Sequence, residues 1–443
     1  MLNTTYFCLQ MRIIILYFLL FTFYFSSAQE FGGEPASVKW KQVNTDTVRI
    51  IFPAGLDSLA KRIATITSKE QQQYANTIGN NMHKISIVLH NQTAFSNGFV
   101  TLGPWHSEFF LTPEQNAFEL GSMSWPDLLS VHEYRHAEQY SNFNIGLSHT
   151  VHILFGENGQ ALANSAAITN WFFEGDAVYN ETMLSEQGRG RLPLFLNGYK
   201  SLFLEDKQYS YMKLRNGSYK DYIPNHYPLG YMLVAYGREK YGDDFWKNVT
   251  HDAAAFHPLF YPMQNAVKKN AHISFDEFVK NAFNYYHDEW KNETLSNLEF
   301  LDSTEKNNVV DEKYPYRSQD NSIIILRESY RKLPQFVIRH NNGTTDKISV
   351  QDIVNDDYFS YNNGKIIYAS YKPDARWGNK EYGELRLLDI NTKQEKKISS
   401  QTRYFSPDIS HDGKLIVAVE QAIDGSSKLV LLNADGTIIK IFQ

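Results

Sequence analysis

Apolar positions change their spacing along the chain, and each change marks a different kind of structure. SVKWKQVNTDTVRIIFPAG, from Ser37, reads as a strand entering a turn. LDSLAKRIATITSKEQQQYANTIG then sets Leu59, Ile63 and Ile66 at helical intervals. HKISIVLHNQ returns to a two-residue period through Ile85, Ile87 and Leu89, the mark of a strand. GFVTLGPWHSEFFLT predicts one or two further strands. Helical spacing then dominates to about Lys291, with ISFDEFVKNAFNYYHDEWKN as the last helix. The block is α+β, with a β/α opening.

The texture changes after about Ser303. Short β-rich segments such as NSIIILRES, KIIYASY, LRLLDINT and KLIVAVE alternate with Asn/Asp/Gly turns. YFSYNNGKIIYAS from Tyr358 and YFSPDISHDGKLIVAV from Tyr404 look like copies of one unit, 46 residues apart. A period in the forties with several strands per unit suggests propeller blades. About three units are countable, against the roughly four to eight of a closed propeller. The expectation is an open partial propeller or the cut end of a longer one, and the mid-strand character of IIKIFQ favours the latter. An unrelated small β-domain is the competing reading.

At 443 residues the chain has room for two or three domains. The first boundary lies in MRIIILYFLLFTFYFSSAQE, from Met11: one Arg, an apolar run, then small residues at Ser26 and Ala28. This is the pattern of a signal peptide cut after Ala28, with residues 1–10 an upstream extension. A membrane anchor is the competing reading, but the run is short and ends in SSAQ rather than a basic stop. The expected division is 1–28 leader, 29–300 α+β domain and 301–443 β-repeats, with no membrane span left once the leader is removed. Cys8 is the only cysteine, so the exported chain has no disulfide, thiolate ligand or thiol nucleophile. A net charge of −6 without long like-charge runs argues against nucleic acid or an anionic membrane as partner.

Candidate chemistry is concentrated in VHEYRHAEQY, Val131 to Tyr140. Ser124 as N-cap, Pro126 in the first turn and Asp127 three residues after the cap predict a helix start just before it. On that helix His132 and His136 share a face, one turn apart, where two imidazoles can hold one Zn²⁺ at about 2.0–2.1 Å each. Glu133 is turned by about 100° from His132, where a carboxylate can act as general base on water. A third ligand is required. A third histidine six residues past His136 would make a metzincin, but Gln139 and Asn142 stand where its glycine and histidine would be. A glutamate from a later helix is the other solution, and Glu157 and Glu174 are the candidates. Glu174 has Trp171 and Val178 at helical spacing around it.

Trp171, Glu174, Gly175 and Ala177 match the W-x-x-E-G-x-A pattern of gluzincins similar to the aminopeptidase N family. There the glutamate is the third zinc ligand, so the resemblance implies one Zn²⁺ on His132, His136 and Glu174, in preference to Glu157. The chain departs from that family in spacing: 37 residues lie between His136 and Glu174, about twice the usual number. NIGLSHTVHILFGENGQALA is then an insert, and its His149 and His152 are polar residues that could line the cleft. HYPLGYMLVAYGREKYGDDFW resembles the family's Y-x-x-G helix, which implies an oxyanion-stabilising role for Tyr227, with Gly230 the matching glycine and His226 the runner-up. The family's G-x-M-E-N stretch is absent, since FELGSMSW has no glutamate after Met123. The resemblance covers about residues 45–295 and supports zinc chemistry, not aminopeptidase specificity.

FSPDISHDGKLIVAV and LVLLNADGT resemble TolB-type propeller repeats. The whole is similar to secreted bacterial proteins that join a gluzincin-like domain to a TolB-like propeller. The implied fold is an α+β zincin-like catalytic domain followed by an all-β, partial (open or truncated) propeller. The implied function is a secreted zinc-dependent peptidase acting on a peptide or protein substrate, with Glu133 and Tyr227 catalytic and a protein partner at the propeller's loops. Asp176 and Glu181 are candidates to hold the ligand histidines. The expected location is the periplasm or cell envelope of a Gram-negative bacterium, or outside the cell. The rivals are a catalytically silent zincin-like/propeller binding protein and a zinc hydrolase of a non-peptide amide.

Overall fold

A computed structural model describes residues 32–292 and 307–442. The expected leader 1–28 and the change of texture near Ser303 lie outside the described residues. No described helix is long and apolar enough to cross a membrane.

The first layer is a five-stranded mixed sheet in the order β1–β2–β3–β5–β4. Its strands are β1 (Trp40–Asn44), β2 (Val48–Pro53), β3 (Ile85–His90), β4 (Ser96–Thr101) and β5 (His106–Leu111). β2, β3 and β5 run parallel, and β1 and β4 close the edges antiparallel. The single strand expected from Ser37 is in fact a hairpin. The Asn-Thr-Asp-Thr stretch turns the chain between β1 and β2, and the Thr45 hydroxyl accepts from the Val48 N–H at 3.1 Å. Short polar side chains that bond their own backbone favour such turns.

The helices are α1 (Asp57–Gln73), α2 (Ala117–Leu120), α3 (Trp125–Asn142), α4 (Gly146–Ala167), α5 (Asn170–Leu184), α6 (Pro193–Leu204), α7 (Tyr211–Asn216), α8 (His226–Tyr241), α9 (Phe245–Ala254), α10 (Pro262–Ala271) and α11 (Phe275–Trp290). Ile63 of α1 and Leu129, Tyr134 and Ala137 of α3 pack on Ile50, Ile87 and Phe109 of the sheet. A second core joins α5, α8, α9 and α11 through Trp171, Leu233, Trp246 and Phe278. Helix α3 lies between the two cores, so nearly all of it is buried, polar residues included. Ser124 does occupy its N-cap, but through its carbonyl, which accepts from Asp127 N–H and Leu128 N–H at 2.9 Å each. The hydroxyl makes no cap bond. The Asp127 carboxylate is taken instead by Arg62 of α1, Nε donating at 2.6 Å and Nη2 at 2.5 Å. The expected insert forms α4, kinked at Gly156 (φ 68°), and packs on α3 and α9 by side-chain bonds from Ser148, Gln160 and Asn164.

The C-terminal region consists of three four-stranded antiparallel meanders. They are β6 (Val310–Arg317) to β9 (Thr345–Val350), β10 (Phe359–Asn362) to β13 (Gln394–Lys397), and β14 (Tyr404–Ile409) to β17 (Ile438–Phe442). Both copies of the sequence unit enter the first strand of a meander, β10 and β14. Phe336, Phe359 and Tyr368 fill the space between the first two sheets, and Ile367, Ile416 and Val430 that between the last two. The described sheets do not close into a ring.

The two regions meet at the loop between β3 and β4. Arg403 donates to Thr93 O at 2.6 Å and to the Thr112 hydroxyl at 2.8 Å. Glu381 accepts from Ala94 N–H at 2.8 Å and gives its own N–H to Gln92 O at 2.9 Å. The Asn355 amide donates to Ala94 O at 3.0 Å. That loop leads directly into β4, the strand beside the candidate site.

Candidate metal centre

Helix α3 presents His132 and His136 one turn apart, with ring centroids 4.9 Å apart and planes at 88°. α5 crosses it and delivers Glu174, whose Oε2 lies 3.3 Å from His132 Nε2 and 3.5 Å from His136 Nε2. One donor atom from each of the three residues falls within 4.8 Å of the others, the only such His/Cys/Asp/Glu triad among the described residues.

The far nitrogens are engaged. His136 Nδ1 lies 2.9 Å from Gln139 Oε1. The Gln139 amide nitrogen donates to Phe173 O and to Asp176 Oδ2, at 3.0 Å each, so its oxygen must face the imidazole and the proton sits on Nδ1. Asp176 thus reaches His136 through Gln139. Arg135 and Arg238 donate to it at 2.7 and 3.0 Å and hold its carboxyl at about 2 against burial. Glu181 touches the site directly, its Oε2 3.0 Å from His132 Nδ1. Arg189, from a short turn after α5, donates to Glu181 at 2.7 and 2.9 Å and brings Nη2 within 2.8 Å of the same nitrogen.

The charges follow from these contacts. Burial alone would raise Glu174, but the two imidazoles hold it far below the usual carboxylate range. Burial works against protonating His136, and Glu174 overrides it, to about 9. Glu133 is buried, which raises its pKa. That suits a group that must hold a proton briefly. Tyr227 sits at the N-terminus of α8, where the Asn225 side chain accepts from its N–H at 3.0 Å. Its ring lies parallel to His132, centroids 6.5 Å apart. Burial, then Glu174, push the phenol well above its usual pKa, so it keeps its proton and can donate it in a hydrogen bond.

These groups line an open cavity of about 130 Å³, together with Gly98 and Phe99 of β4, Tyr140 and Phe173. Glycine at 98 leaves room for the Glu133 carboxylate: a Cβ there would stand 2.9 Å from Glu133 Oε1 and 2.6 Å from a Leu129 methyl carbon, and both side chains would have to shift.

The structure brings together His132, Glu133, His136, Glu174 and Tyr227. It excludes Glu157, which sits on α4 and accepts from Gly103 N–H and Trp105 N–H at 3.1 and 3.0 Å. His149 and His152 stack on each other on α4 and do not line the cavity. His226 flanks Tyr227 at 4.8 Å outside the lining. Sequence reasoning missed Gly98, Gln139 and Arg189 as parts of the site. Gly98 follows an ordinary Ser-Asn pair and Arg189 lies in an Arg-Gly-Arg turn, so neither carries a spacing that points to a metal. No protein-family model and no curated protein matches this chain.

Proposed function

We propose that the protein is a zinc-dependent peptidase, with one Zn²⁺ held by His132, His136 and Glu174 and with Glu133 as general base. The observation that carries this reading is the convergence of His132 Nε2 and His136 Nε2 on Glu174 Oε2, at 3.3 and 3.5 Å and all three within 4.8 Å, in a cavity that also holds a carboxylate and a phenol. Ligands at about 2.0–2.1 Å on a tetrahedron lie ~3.3 Å apart, so the donor set fits the ion. Both imidazoles are tied back through Nδ1, which leaves Nε2 for ligation. Three N/O ligands with room beside them are the arrangement of a catalytic zinc site rather than a closed structural one.

Zinc supplies Lewis acidity, making water a stronger acid and a peptide carbonyl a better electrophile. The rest falls to the chain's own groups. Glu133 takes the proton that water releases as its oxygen adds to the carbonyl carbon. It returns that proton to the amide nitrogen as the C–N bond breaks. Tyr227 donates a hydrogen bond to the oxygen on which negative charge grows. β4 has β5 on one side and no described strand on the other, so its open edge can align an extended polypeptide beside Glu133. This agrees with the gluzincin resemblance. The three meanders read, on the same footing, as an open partial propeller of TolB type in an exported protein of the cell envelope.

The test is metal analysis of the purified protein with a peptide-library digest, repeated for Glu133→Gln. The reading requires one zinc per chain and cleavage that Glu133→Gln abolishes while zinc stays. Zinc retained with no peptide cleaved by the unaltered protein would overturn it in favour of a binding protein.

A further inference from the structure

The metal pocket is too small to hold a polypeptide, but it shares a lining residue with a much larger space. A cleft of about 1250 Å³ lies between the helical layer and the first β-meander, and Tyr227 lines both it and the metal pocket. Its volume exceeds the roughly 300–1,000 Å³ of a small-molecule site. An extended chain needs only ~3.3–3.6 Å of length per residue, so several residues fit. One wall comes from α6 and the start of α8, with Leu194, Phe195 and Pro228; the other comes from β6 and the loop before β10, with Asp311, Lys313 and Asp357.

The charges on this cleft are uneven. Its lining holds four acidic side chains, Glu114, Asp311, Asp356 and Asp357, and two basic ones, Arg189 and Lys313. Arg189 is already engaged by Glu181. Lys313 lies 2.6 Å from both Glu328 and Asp357, so two carboxylates share its one charge. Burial, then Glu328, raise the pKa of Asp311, a position that an incoming cation would relieve. Beside these carboxylates the cleft offers exposed apolar surface at Leu194, Phe118 and Tyr222.

We propose that this cleft seats the substrate polypeptide beyond the scissile bond, and that its acidic wall, contributed mainly by the first meander and the loop that follows it, favours segments carrying Lys or Arg next to apolar residues. The inference rests on the peptidase reading, which makes Tyr227 the junction between chemistry and binding. The C-terminal region is then a specificity element of the enzyme as well as a neighbouring domain.

The test uses the full chain and fluorescent peptides that share one core and differ only in flanking Lys or flanking Glu. Binding is read by anisotropy on Glu133→Gln, so it does not depend on cleavage. The Lys peptide is expected to bind about tenfold more tightly, with the difference shrinking as salt rises. Asp311→Asn combined with Asp357→Asn should erase most of that preference. Asp435→Asn, the same charge change in an exposed turn of the last meander, should not. Equal binding of the two peptides by the Glu133→Gln protein would overturn the proposal, as would a preference that survives the double substitution. Cleavage by the unaltered protein is scored separately, so an uncleaved peptide that still shows the charge preference counts against the peptidase reading and not against the cleft.

Discussion

Gly175 and Gly230 meet where α5 crosses α8, so closely that a Cβ built on Gly230 would stand 2.8 Å from the Gly175 Cα. Each glycine belongs to one of the two short motifs downstream of the histidine pair, Gly175 beside Glu174 and Gly230 three residues after Tyr227. The contact therefore sets how near the third ligand comes to the phenol. Alanine inside a helix ordinarily gains about 0.5–1 kcal/mol over glycine. Here the atoms in the way are backbone and cannot rotate aside. Gly230→Ala is expected to lose ~1–3 kcal/mol instead, the scale of overpacking. Urea denaturation decides between a lowered and a raised midpoint.

Gly98 offers a more local test. Gly98→Val puts branched carbon where Glu133 Oε1 and Leu129 now lie. Zinc content should stay at one per chain, because no ligand is touched, while peptide turnover falls by at least about tenfold as the general base is displaced. Loss of metal and of activity together would contradict this assignment.

Gln139→Met removes the acceptor for His136 Nδ1 without removing a ligand. Groups that orient metal ligands typically contribute about 10–100-fold in affinity. Competition with a chromophoric chelator should show a drop of that size in zinc affinity.

His90, at the end of β3, provides a pH signature from a group outside the lining of the metal cavity. Its Nδ1 lies 2.8 Å from Glu34 Oε1 and its Nε2 3.0 Å from Glu108 Oε2. Burial opposes its charge, but these carboxylates prevail and raise it to about 9. A pKa raised above the unfolded ~6.5 means stability that is complete below about pH 6.5 and is lost as pH rises through 9. The loss is at most about 3 kcal/mol. Urea midpoints should fall between pH 6.5 and 9, and His90→Gln should flatten that slope.

The sequence made the clustered triad legible because its spacing is local: His132 and His136 are one helical turn apart, and Glu174 sits in a short recognisable context. The two-residue and helical periods also placed β3, α1 and α11. What remained hidden depends on partners far along the chain. Helix α3 spells Glu133 and Arg135 between its histidines and Glu138 and Gln139 just after them, and would pass for a solvated helix. Yet Arg135 is buried against Asp176, 41 residues away, and against Thr77, 58 residues away. A buried polar helix has no periodic signature, because charge pairing rather than apolar contact makes its burial tolerable. Glu157 shows the reverse: its distance from His136 suits a ligand, and only the fold reveals that it holds the turn at Gly103 and Trp105.

The grip of Arg403, Glu381 and Asn355 on residues 92–94 makes the two halves of the molecule structurally interdependent. A shortened version ending at residue 292 would keep all five residues of the proposed catalytic centre. It would nevertheless leave the carbonyls of Gln92 and Ala94 without their donors and the Ala94 N–H without its acceptor, and leave Thr93 O with the Thr112 hydroxyl alone, immediately upstream of the strand that borders Glu133. Amputating the β-rich half would slacken that strand, so an isolated front half is a poor proxy for the intact chain.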